Sequence, residues 1–221
     1  MNEIETDKLV ASHDAGTLYD RVARFYDVTF KFNGYSRSIE RYFESHPLRI
    51  SAGAKILDAG SGTGLLSLAL LKTLRRPAEI TAVDLSLSSL VTARKAINQE
   101  ISQAPIKGHK VSLTQANILA LPFADHSFDV VVTSGALEYV SLREGFAEAS
   151  RILSPGGYLF HLPVVPSPAS KVLELLFRFK AHSPAEVTAA TERHFRVLHE
   201  YHFPFPDPIG WTKVAVLSQK L

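Results

Sequence analysis

From Ile56 onward, short apolar runs alternate with stretches patterned for helices, and this rhythm restricts the chain to successive strand-helix units that build a parallel sheet covered on both faces. Five runs read as strands: Lys55-Ile56-Leu57-Asp58, Ile80 to Asp84, Val111 to Thr114, Phe128 to Val132, and Tyr158 to His161. The intervening helices are expected over Leu65 to Leu74, after the N-cap Ser86 with an apolar stripe of Leu87, Leu90, Val91, Ile97 and Ile101, and over Leu142 to Leu153. Pro155-Gly156-Gly157 is a strong breaker and predicts a turn between the third helix and the fifth strand. Ser183-Pro184-Ala185-Glu186 matches a capping box with proline at the first helical position, so a further helix is expected to about His194. The last two runs, Phe195 to Phe203 and Trp211 to Leu217, have no room for a helical crossover between them and are expected to pair antiparallel. The fold class is therefore α/β: a doubly wound, Rossmann-like seven-stranded sheet, mostly parallel with an antiparallel last strand.

A chain of 221 residues suits one such domain with embellishments. Residues 1–50, rich in Tyr and Phe, are expected to form an N-terminal helical lid. Residues 51–221 are expected to form the main domain, with an insertion at about 162–182 that builds a substrate pocket. Eight of the twelve prolines fall between 155 and 208, so regular elements there should be short.

Asp58 ends a buried strand and is followed by Ala59-Gly60-Ser61-Gly62-Thr63-Gly64, three glycines at alternate positions before a helix, which lets the backbone turn sharply and approach a ligand closely. Two details bear on which ligand. Leu65 stands where a dinucleotide fingerprint starting at Gly60 would want its third glycine. A carboxylate at the mouth of the loop would repel a pyrophosphate but attract the ammonium and sulfonium of S-adenosylmethionine. Asp84 ends the neighbouring strand, where its carboxylate can accept from both hydroxyls of a ribose; a helix-cap role is the structural alternative.

The quoted residues resemble the class I S-adenosylmethionine-dependent methyltransferases, in particular their small-molecule branch. Ile56 to Gly64 looks like the family's glycine motif and Val83-Asp84-Leu85-Ser86 like its ribose motif. Ala116 to Phe123, followed by Phe128-Asp129-Val130-Val131, is similar to its adenine-contact segment and fourth strand, and Leu153 to Gly157 to the turn before the fifth strand. The resemblance implies that Gly60, Ser61, Gly62 and Gly64 wrap the methionine portion, Asp84 the ribose, Leu85 and Ile118 the adenine faces, and that Ser134 lies beside the sulfonium. Asn117 departs from the aspartate of many relatives and would accept the adenine amino group through its amide oxygen. Tyr19-Asp20 and Tyr26-Asp27, with Ala23 between them, resemble the lid of quinone-ring methyltransferases, which implies cofactor contacts for Tyr19 and Tyr26; packing against the domain is the plainer alternative.

Methyl transfer from a sulfonium is an in-line displacement, so the protein must chiefly hold donor and acceptor in near-attack geometry away from water, and a base is optional. If the acceptor carries an acidic proton, Glu138 and His161, just past the fourth and fifth strands, are the candidates to take it. No metal is expected: His199 and His202 are an odd three apart, so on a strand they point to opposite faces. The expected reaction is O-, C- or N-methylation of a small hydrophobic or aromatic acceptor; the alternatives are a non-catalytic binding module on the same fold and a nicotinamide-dependent oxidoreductase.

A formal charge of +2, from 24 basic and 22 acidic residues spread along the chain, gives no basic stripe for nucleic acid. The acidic start Met1 to Asp7, no cysteine and no run of membrane-spanning length give the cytoplasm as the expected location. The apolar stretch Val172 to Lys180 reads as a pocket wall, a membrane contact or a helix tucked onto the domain.

Overall fold

The computed structural model describes residues 34–103 and 108–221. Its elements in chain order are α1 (Tyr35–Ser45), β1 (Ala54–Ala59), α2 (Leu65–Thr73), β2 (Ala78–Asp84), α3 (Leu87–Gln103), β3 (Lys110–Gln115), β4 (Phe128–Ser134), a 3-10 turn (Leu137–Tyr139), α4 (Leu142–Ile152), β5 (Leu153–Leu162), α5 (Pro168–Phe177), α6 (Pro184–Glu192), β6 (Phe195–His202), a second 3-10 turn (Pro208–Trp211) and β7 (Val214–Lys220). The seven strands lie in the order β3-β2-β1-β4-β5-β7-β6. Strands β1 to β5 are mutually parallel, and β7 runs antiparallel to both β5 and β6.

Burial follows position in the sheet. Central strands β1 and β4 are apolar and buried on both faces, as strands between two helical layers must be. The edges β3 and β6 carry exposed polar side chains, which keeps them from pairing with other chains. One core packs α1, α2 and α3 on the first face around Ile39, Leu70, Ile97 and Phe160. The other packs α4 and α6 on the second face around Val131, Phe146, Leu159 and Phe195.

Three local details differ from the sequence reading. The helix α4 passes into β5 without a separate turn: the strand starts at Leu153, opposite Phe128, and Ser154 to Gly157 form an irregularity in the β4/β5 register. On α3 the buried face is narrower than expected, with Leu90, Ala93 and Ile97 inside and Leu87, Val91 and Ile101 exposed. The described part of residues 1–50 belongs to the main fold, because Tyr35, Ile39, Tyr42 and Phe43 of α1 are buried in the first core. Tyr19 and Tyr26 lie outside the described residues.

The capping box at Ser183 forms as expected, with Glu186 N donating to Ser183 Oγ and Ser183 N donating to the Glu186 carboxylate. Between 162 and 182 stands one short helix, α5, whose Val172, Leu175 and Leu176 face solvent while Phe177 is buried. No helix among the described residues is long and apolar enough to cross a membrane.

Candidate active site

Parallel strands bring the loops at their carboxyl ends together, and here the strand order reverses between β1 and β4, which opens a crevice at that point. Gly60, Gly62 and Gly64 all have positive φ. A Cβ on Gly60 would stand 2.2 Å from that of Ala136, so only glycine lets the loop after β1 pack on the loop after β4. Gly62, at φ 52°, faces open space: apart from its chain neighbours, a Cβ there would meet no atom of the described residues within 4 Å.

Asp58 is buried rather than at the mouth of the loop. One carboxyl oxygen, Oδ2, accepts from Ser67 N (3.0 Å) and Ser67 Oγ (2.6 Å) at the start of α2, and the other, Oδ1, has no partner among the described residues. Burial pushes its pKa up to about 7, against the two bonds from Ser67 that favour the charged form. Ser61 Oγ is likewise buried without a partner among those residues.

Asp84 joins two loops: Oδ2 accepts from Gly62 N (2.8 Å) and Oδ1 from Ser86 N (2.9 Å), so it pins the glycine loop and also makes the turn contact that a cap reading anticipates. Ser86 Oγ accepts from Ser89 N (3.2 Å), the expected cap of α3. Beside Asp84, Leu85 is 69% exposed, an apolar surface turned to solvent at the end of β2. Asn117 is exposed, and its amide oxygen accepts from Leu119 N (2.9 Å), so the atom expected to meet adenine already closes a local turn. Ile118 is half-buried on the second core, and Ser134 half-buried at the end of β4.

Sequence reasoning missed the group that holds the segment after Ile118. Arg151 donates to Glu148, to Asp125 (2.7 Å), and to the carbonyls of Leu121 (3.1 Å) and Phe123 (2.9 Å), while Glu148 accepts from Leu121 N (2.7 Å). One arginine thus fixes residues 121–125 onto α4. Only the Glu148 pairing, three residues away, is visible in the local sequence; the other partners lie 26 to 30 residues away.

On the other side of β4, Glu138 Oε1 accepts from Val164 N (2.6 Å) and ties the β4 loop to the end of β5. The ring of His161 stands edge-on to Phe146, at a centroid distance of 5.4 Å. Burial brings its pKa down to about 4, so it is neutral at ordinary pH. His199 stacks near His46 and Tyr201, whereas His202 pairs with Glu200, and no group of three potential metal ligands occurs among the described residues.

The doubly wound sheet, the glycine loop and the acid at the end of β2 define a class I methyltransferase fold. Residues 57–161 match the model of a family described as "Methyltransferase domain". The ubiquinone/menaquinone biosynthesis C-methyltransferase UbiE of Dinoroseobacter shibae is 32% identical over 71% of this chain and 62% of its own length; the chain thus spans somewhat less than two thirds of that relative. The demethylmenaquinone methyltransferase of Corynebacterium urealyticum is 29% identical over 88% of this chain and 80% of its own. Among solved structures, geranyl diphosphate C-methyltransferase from Streptomyces coelicolor, in complex with Mg2+, geranyl diphosphate and S-adenosyl-L-homocysteine, superposes with a TM-score of 0.65 at 19% identity, over 84% of this chain and 81% of that one. The chain belongs to the class I S-adenosylmethionine-dependent methyltransferases. The residues present fit S-adenosylmethionine, the methyl donor of this class: open space over Gly62, Asp58 Oδ1 and Ser61 Oγ without a partner among the described residues, and the carboxylate of Asp84 at the end of β2 next to exposed Leu85.

Proposed function

We propose that this chain transfers a methyl group from S-adenosylmethionine to a small hydrophobic or aromatic acceptor. The observation that carries the reading is the glycine loop pressed on Ala136, because it leaves Gly62 open to a ligand at the reversal of strand order, directly beside β4. When bound, the cofactor supplies an electrophilic methyl on a sulfonium that leaves as a neutral thioether. Gly60, Ser61, Gly62 and Gly64 would hold its methionine portion, Asp84 its ribose, and Leu85, Asn117 and Ile118 its adenine. Ser134 would lie near the sulfur.

Two things support an apolar acceptor. Tyr139, Val172, Leu175 and Leu176 expose apolar surface on the elements after β4 and β5. The relatives named above are quinone-ring and terpenoid methyltransferases. A small-molecule acceptor also agrees with the absence of a basic stripe.

Calorimetry of the purified protein with S-adenosylmethionine and its demethylated product, followed by methyl transfer to a panel of quinols, phenols and amines, tests the reading. Binding of both forms and transfer to at least one aromatic acceptor is the expected result. Binding without transfer to any member would favour a module that holds cofactor without turnover, and unchanged binding in Asp84→Ala would overturn the assigned ribose contact.

A further inference from the structure

Four polar side chains sit almost fully buried where β4, β5 and β7 end together. Thr133 and His161 are neighbours in register across β4 and β5. Glu138 reaches the same place through its bond to Val164 N, and Lys213, which bridges to Val164 across the sheet, donates from Nζ to Leu162 O (3.0 Å). All four are more than nine-tenths buried. Glu138 lies within electrostatic reach of both His161 and Lys213.

These groups are under-used. Among the described residues, Glu138 Oε2, His161 Nε2 and Thr133 Oγ1 have no partner, and Lys213 Nζ, whose pKa burial lowers, has a single carbonyl acceptor. Buried polar atoms are normally satisfied, because a bare one has given up its bonds to water with nothing in return. A cluster holding a lysine amine, a carboxyl with a bare oxygen and an imidazole, all buried, therefore has room in its bonding for something polar and small. Its place is the acceptor's side of the crevice: Glu138 follows by two residues the Ala136 that packs on Gly60, and Thr133 precedes Ser134.

We infer that Glu138 and Lys213 form a hydroxyl-binding subsite for the methyl acceptor, in which an enolic or phenolic O–H donates to Glu138 Oε2 while its oxygen accepts from Lys213 Nζ. One hydroxyl satisfies both groups at once, which a ketone, a thioether or a bare hydrocarbon does not. His161 and Thr133 flank the pair and position it. The inference rests on the methyltransferase reading and narrows its acceptor to hydroxyl-bearing aromatic or enolic molecules.

The test uses full-length protein saturated with S-adenosylhomocysteine, with 1-naphthol and naphthalene as paired probes whose binding is read by fluorescence. Wild-type protein should prefer 1-naphthol by at least about tenfold, the range of one or two hydrogen bonds to charged groups. In Lys213→Met, and in the charge-neutral double variant Glu138→Gln/Lys213→Met, which avoids stranding a buried carboxylate, the preference should fall below about threefold. The affinity for S-adenosylhomocysteine should stay as it was. A preference that survives in the folded double variant, or no preference in the wild type, overturns the subsite and leaves a purely structural polar knot. Failure of the methyltransferase reading would look different, as lost cofactor binding in the wild type. Transfer to amines with no need of a hydroxyl would keep the methyltransferase reading and sink this one.

Discussion

Ser67 gives both its amide and its hydroxyl to a single carboxyl oxygen of Asp58, so the last acid of β1 is also the anchor of the helix that follows the glycine loop. The strand, the loop and α2 are thereby fixed as one unit, and the cost is a carboxyl held in the protein interior.

That cost is measurable. The folded-state pKa of Asp58, about 7, lies above the ordinary 3.8, so the native protein keeps a proton that the unfolded chain releases, and stability falls as pH rises from about 4 to about 7. Asp58→Asn still accepts from Ser67. It should match the wild type at pH 4 and exceed it by roughly 3–4 kcal/mol above pH 7 in urea titrations. A difference that does not change with pH would contradict the assigned burial.

His161 acts in the opposite sense. Its folded pKa of about 4 lies below the ordinary 6.5, so its contribution is complete above pH 6.5 and is lost as pH falls toward 4, by about 3 kcal/mol in all. Over most of the acid range the two residues offset each other. His161→Phe keeps an aromatic ring against Phe146 and should remove the acid-side loss, which leaves the Asp58 slope exposed in denaturation curves between pH 4 and 7.

Two glycines separate folding from binding. Gly60→Ala forces a Cβ onto Ala136 and should destabilise the protein by about 2 kcal/mol or more, with a lower thermal midpoint and weak cofactor binding. Gly62→Ala meets no protein atom and should cost about 1 kcal/mol from its positive φ alone, yet raise the calorimetric Kd for S-adenosylmethionine at least about tenfold. Wild-type affinity in Gly62→Ala would remove that position from the cofactor site.

Arg151→Met tests the clamp on residues 121–125. Losing charged bonds to Glu148 and Asp125 and two carbonyl contacts should cost about 2 kcal/mol and weaken S-adenosylmethionine several-fold through the loosened adenine segment, with a smaller effect on acceptor KM. Unchanged cofactor affinity in the destabilised variant would confine Arg151 to stability.

Much of the fold was legible because the signals were local. The apolar runs of β1, β2 and β4, the breaks between elements and the capping box at Ser183 each rest on residues a few positions apart, and all appear where the pattern puts them. The stripe on α3 was read too wide, because periodicity marks a face but not how much of it a neighbouring layer covers. Aromatic spacing alone cannot tell a cap from a core, and for α1 it is the shared core with Leu70 and Phe160 that shows where its aromatics lie.

The sequence by itself determined the glycine loop, the acids at the ends of β1 and β2, and with them the class of cofactor, since these depend on residue type and spacing along one stretch of chain. Only the tertiary structure decided what those acids do, turning Asp58 inward to Ser67 and spending Asp84 on Gly62. It alone brought Lys213 within electrostatic reach of Glu138, 75 positions earlier in the chain. The physical reason is that charge and conformational preference are carried by each residue, whereas desolvation and hydrogen-bond partnership exist only once distant segments have closed around a side chain.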